Sequence, residues 1–158
     1  MSPLSTSRLG ITAAIMGAVA FVVSRFLIDG GHTPTAVSWV SLLVSAAVAV
    51  MILWLGWTVR QYRAGSHPGL SALRAARTAV LAQAVAYTGA IMAGGFGGYA
   101  LAVGLEWGHA PRREVAISAL VAMLGAIAMA GAGRVAEHWC KIGGDDEDDA
   151  APPDVSPA

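Results

Sequence analysis

The chain has 158 residues, 56% of them hydrophobic and only 13% charged, with a mean hydropathy of +0.61. A soluble domain carries about 25% charged residues, so half that charge excludes an ordinary water-facing globule and implies a surface that mostly faces lipid. Ten Lys and Arg balance ten Asp and Glu, but unevenly: from Asp145 onward six acids stand without a base, while the rest sets every base against Asp29, Glu106, Glu114 and Glu137.

The first predicted element covers residues 9–28, an apolar run in which Arg25 is the only charge. About 20 helical residues cross the ~30 Å hydrocarbon core of a bilayer. A secretory signal peptide is the rival reading, with Arg8 as its basic end. The apolar run is long for such a segment and no A-x-A site follows it, so an uncleaved span is expected. Residues 29–34, DGGHTP, then read as a tight turn, because Gly and Pro both end helices.

The second span, residues 35–59, has no charge; Trp39 lies near one end and Trp54 and Trp57 near the other, as indoles prefer the headgroup level. Residues 60–77 form a polar connection broken by GSHPG at 65–69, with Ser71 as a plausible N-cap for a helix beginning at Ala72. Arg74 and Arg77, three apart, share a helix face; with Arg60 and Arg63 they are the candidates for contact with lipid headgroups. The third span covers residues 78–103, with Gln83 its main polar residue. A hinge at 104–113 contains Trp107 and Pro111, and the fourth span covers 115–139. The tail, 143–158, is acidic and then rich in Pro and Ala, a composition that favours disorder.

The expected fold is thus an all-α membrane protein: four transmembrane helices, as two helical hairpins, in a domain of residues 1–142. An even number of spans puts both termini on one side. With the termini cytoplasmic, Arg8, Arg60, Arg63, Arg74, Arg77, Arg134 and Lys141 lie inside and only Arg25, Arg112 and Arg113 outside, as the positive-inside rule favours. Cys140 is the only cysteine, which excludes an intramolecular disulfide and a Cys-rich metal site.

Small residues carry the main packing signal. Gly89-Ala93-Gly97 and Ala90-Gly94-Gly98 form two adjacent small-xxx-small stripes, and the fourth span offers Ala122, Ala126 and Ala130. In lipid, small residues let backbones approach and gain dispersion contact. The expected result is close packing of the third and fourth helices, with a homo-oligomer through the same stripe or a hinge at the glycine run as alternatives. Arg134 and Glu137, three apart, read as an ion pair anchoring a helix end; the functional alternative is an intramembrane polar site with Gln83, since ionisable groups in a membrane are costly. Arg25 and Asp29, at i,i+4, read as a second end anchor. His32, His67 and His109 lack metal-ligand spacing, so no metal is assigned. No nucleotide loop, G-x-S-x-G or paired carboxylate within a span is present.

Over residues 70–149 the chain resembles a family of small actinobacterial membrane proteins known as domain of unknown function 3180. The likeness is carried by Ala76-Arg77, Leu81-Ala82-Gln83-Ala84 and Gly89-Ala90 through Gly94 and Gly98, and by Glu137-His138-Trp139-Cys140-Lys141 before the acidic tail. Gln83 stands where a basic residue is more usual in that family. The resemblance implies a plasma-membrane location and a link to folate-pathway genes, and it brings no established activity. The expected role is non-enzymatic and cofactor-free: a scaffold or accessory subunit whose partners are the bilayer and either other membrane proteins or a second copy, with no role for nucleic acid. A small transporter is the alternative.

Overall fold

The computed structural model describes residues 5–61, 72–106, 108 and 110–141, and of residues 72–76, 140 and 141 the backbone alone. Arg63, His67, Ser71, Trp107, His109 and the tail at 143–158 therefore lie outside the described residues, as do the side chains of Arg74 and Cys140. Among the described residues there are four helices: α1 (Thr6–Asp29), α2 (Trp39–Gln61), α3 (Ala72–Gly104) and α4 (Ala110–Lys141). Each contains a stretch long and apolar enough to cross a bilayer, and the stretches in α3 and α4 are Arg77–Gly104 and Ala110–Trp139.

Local chemistry sets the helix ends. At the close of α1, His32 N–H donates to the Leu27 carbonyl and Gly31 N–H to the Ile28 carbonyl, both at 3.0 Å. That pairing is a Schellman motif, which needs a left-handed residue just past the helix; Gly31 supplies it with φ of +84°. The helix α2 begins four residues later than the hydropathy suggested. Ser38 is the reason: its Oγ accepts the Val40 N–H at 3.3 Å, capping a helix that starts at Trp39. Conversely, α4 begins earlier, at Ala110, and takes Pro111 into its first turn. Proline is tolerated there because that N–H has no intrahelical partner to lose. No break occurs at the glycine run, for α3 is continuous through Gly94–Gly98.

The helices pack in the spatial order α1, α3, α4, α2, with a lighter contact of α2 on α3. The α3–α4 pair is the expected hairpin. The first pair is not: among the described residues α1 and α2 do not touch, and each lies against the later half of the chain. The linker between them is held away from a simple turn. Tyr99 Oη donates to the Thr35 carbonyl at 2.7 Å, and Val37 N–H donates to Ser118 Oγ at 3.1 Å, so residues 35–37 lie across α3 and α4.

Alanine dominates the interior. Ala82, Ala86, Ala102, Ala119, Ala126 and Ala136 are fully or almost fully buried, whereas most bulky apolar residues point outward, Leu9, Ile52, Val103, Val115 and Met129 being the exceptions among the described residues. Phe26 is 80% exposed and Trp39 83%. A water-soluble protein buries such side chains; lipid accepts them, and the close contacts fall to residues small enough to let helices meet.

Candidate functional site

Three helix crossings and two polar clusters hold the candidate residues. At about 100° per residue, Gly94 lies about 140° round α3 from Gly89, and Gly98 about 180° from it, so the two predicted stripes face different neighbours. Gly89 meets α4: a Cβ there would lie 2.6 Å from the Ala130 nitrogen and 2.8 Å from the Ala126 carbonyl oxygen. Gly97 also faces α4, with Met123 Sδ 3.1 Å from the position a Cβ would take, and Ala122 is buried. Gly94 and Gly98 face α1 instead. Their Cβ positions lie 2.1 Å from the carbonyl oxygens of Ala13 and Gly17 respectively. This corrects the expectation that both stripes serve the third and fourth helices: α3 is clasped on opposite sides, and its second stripe belongs to α1. Ala93 lines an open groove beside that crossing.

Sequence reasoning missed the partners. On α1 they are Ala13 and Gly17, spaced i,i+4 and thus a small-xxx-small pair readable from the sequence. On α4 the missed residue is Gly133, whose Cβ position lies 2.7 Å from the Ala82 oxygen and the Ala86 nitrogen. A third crossing joins α2 to α4, where Gly56 meets Ala136 and Gly125 meets Leu42. Not every glycine is a contact: Gly95 and Gly131 have no atom within 4 Å of a built Cβ. G95A and G131A are therefore expected to leave packing intact and to raise thermal stability in detergent, by up to about 1 kcal/mol each from helix propensity. A loss of stability in either variant would contradict this assignment.

The polar residues Gln83, Arg134 and Glu137 are partly brought together. Gln83 Nε2 donates to Glu137 Oε1 at 3.1 Å, joining α3 to α4 around a carboxyl group of which 4% of the residue surface remains exposed. Arg134 turns the other way: its Nη1 donates to Thr6 Oγ1 at the start of α1. The group is thus a set of cross-helix ties at one end of the bundle. At the same end Trp57 and Trp139 meet edge to face, with ring centres 6.1 Å apart and planes at 78°. The Arg60 guanidinium lies 6.0 Å from the first ring centre and 5.7 Å from the second. Arg77 is exposed near the start of its span.

The opposite end carries a charge cluster. Arg25 pairs with Asp29 and with Glu106, each at 3.4 Å, and Arg112 pairs with the other oxygen of Glu106. The expected Arg25–Asp29 pair is present, and Glu106 extends it into a bridge from α1 to α4. Arg25, Glu106 and Arg112 are about one-third exposed and Asp29 about two-thirds, where an ion pair contributes little. E106Q is expected to lower stability by no more than about 1 kcal/mol, with the loss shrinking at high salt; a salt-independent loss above that would point to a desolvated site. Among the described residues no three of His, Cys, Asp and Glu come together as a metal ligand set.

The family model described as "Protein of unknown function (DUF3180)" matches residues 9–143, and the chain belongs to that family. The match takes in the first two spans, which by sequence alone shared only hydropathy with it. No curated protein and no solved structure matches the chain.

Proposed function

From membership of a family without an assigned activity, we propose that the chain is a multi-pass plasma-membrane protein, both termini cytoplasmic, acting as a non-catalytic scaffold or accessory subunit. One observation carries this reading. The long apolar helix α1 packs its backbone closely on α3 alone, with only polar ties to α4 near its two ends, and beside the α1–α3 crossing an open groove of about 490 Å³ runs between Ala14, Gly17 and Ala18 on one side and Ala93, Gly97 and Leu101 on the other. Bilayer-facing surfaces with small residues on the floor suit contact with another helix, because close approach is what strengthens association in lipid. The polar groups inside the bundle support the same view. Among the described residues, no buried side-chain nitrogen or oxygen lacks a hydrogen-bond partner.

The test is purification from the native membrane in mild detergent, with crosslinking before extraction and mass spectrometry afterwards. A reproducible protein partner or a homo-oligomer is the expected result; a chain that is monomeric and partnerless under crosslinking overturns the reading.

A second reading, a small transporter or its accessory subunit, draws on the buried carboxyl of Glu137 beside Gln83, since an ionisable residue inside a membrane is commonly kept for use. Folate-related metabolites are the substrate class to try. Flux into proteoliposomes that persists unchanged in the triple variant Q83A/R134A/E137A would remove this pathway.

A further inference from the structure

We propose that Trp57, Arg60 and Trp139 form a binding site for the phosphate of an anionic glycerophospholipid. Arg60 stands at the last turn of α2, and Trp139 at the point where the apolar stretch of α4 stops. Both therefore sit where a bilayer passes from hydrocarbon to headgroup, the depth that indoles favour. Two rings attract one guanidinium, at 5.7 and 6.0 Å. Cation–π attraction restrains the charge beside the rings without using any protein acceptor for its five N–H donors.

Among the described residues those donors have no partner, for neither the ion pairs nor the hydrogen bonds there involve Arg60. A guanidinium held beside two aromatic rings, with no protein acceptor among the described residues, is suited to bidentate capture of a phosphate. The surrounding charge has the matching sign. Arg8, Arg77 and Arg134 lie at this same end, against a single carboxylate among the described residues there, Glu137, which is buried. Such a basic end draws anionic lipid by a diffuse, salt-screened attraction.

Diffuse attraction alone would treat all four arginines alike; a built site singles out Arg60. The acidic residues 145–149 are the competing occupant, since the chain reaches them shortly after α4 ends. The lipid is favoured because its phosphate is already concentrated at the depth of the two rings, whereas carboxylates on a chain segment must be brought there from water and ordered.

The experiment uses the full chain in nanodiscs of phosphatidylcholine with added phosphatidylglycerol, released into native mass spectrometry to read which lipid stays bound. The wild type is expected to retain phosphatidylglycerol over phosphatidylcholine. R60Q should lower that preference about tenfold, the value of one charge-assisted contact. R60K, which keeps the charge but loses the planar fork, should fall between, and R77Q should change it by less than about twofold, one diffuse charge being heavily screened. Circular dichroism of each variant confirms the helices. Equal losses in R60Q and R77Q, or equal retention of the two lipids by the wild type, would overturn the site. So would a tenfold gain in phosphatidylglycerol retention on deleting residues 144–158, which would make the tail the occupant. The inference rests on the membrane-spanning reading and not on the scaffold role: a monomeric chain leaves it standing, and loss of lipid preference leaves the scaffold role standing.

Discussion

Replacing Gly94 and Gly98 together by alanine is expected to detach α1 from the bundle and to lower stability by roughly 2–4 kcal/mol. Each new methyl would lie 2.1 Å from a backbone carbonyl oxygen of α1, that of Ala13 for one and Gly17 for the other. Side chains can rotate away from an intruder; a helix backbone can only translate. Overpacking of this kind costs about 1–3 kcal/mol per site. The intrinsic gain from Gly to Ala, up to ~1 kcal/mol per residue, opposes it and is smaller. Because both glycines serve one crossing, separation forced by the first relieves part of the second clash, and the two costs sum to less than their separate values. Thermal unfolding in mild detergent should shift down by roughly 5–12 °C, and spin labels on α1 and α4 should report a broadened distance distribution. A G94A/G98A variant with an unchanged midpoint and a single sharp distance would show that α1 is not seated on these glycines.

The second large effect is expected at the tie between α3 and α4. Gln83→Leu removes the amide that donates to Glu137, and with 4% of that residue exposed water has little access to take the amide's place, while the carboxyl keeps its other interaction. Losing one hydrogen bond to a charged group costs about 1.5–3 kcal/mol. Glu137→Gln should cost much less, since its side-chain oxygen can still accept from Gln83 Nε2. The order Q83L worse than E137Q is the informative result, read from unfolding midpoints. If E137Q is the more damaging variant, the carboxylate charge itself is required at this position, and the pair is more than a clasp.

Much of this architecture was readable from residues alone, for reasons that can be named. Length and apolarity determine a membrane-crossing helix almost by themselves, and all four were located. Helix ends were less legible. Ser38 as the cap of α2 and Pro111 inside the first turn of α4 are decided by single hydrogen bonds, which hydropathy averages over. The glycines of α3 announced close packing, and their spacing round the helix also contained the answer to which neighbour each meets: Gly89 and Gly94 point about 140° apart and cannot serve one partner. The companion pair Ala13 and Gly17 was overlooked because α1 reads as a uniform apolar run, in which small residues draw no attention unless paired at i,i+4. The tie of Gln83 to Glu137 joins residues 54 apart in sequence; no local pattern contains that distance. Arg134 was expected to pair with Glu137 on its own helix and instead reaches Thr6 of α1, because a long side chain near a helix end can leave its own surface.

The spatial order of the helices also governs how such a chain is made. A ribosome delivers α1 and α2 first, yet these two have no surface in common. Until the second half emerges, each lacks the neighbour that holds it in the finished bundle. The α3–α4 hairpin then acts as the keel onto which the earlier helices dock from opposite sides. A product ending after Gln61 would contain two complete helices and none of the helix pairs of the finished bundle.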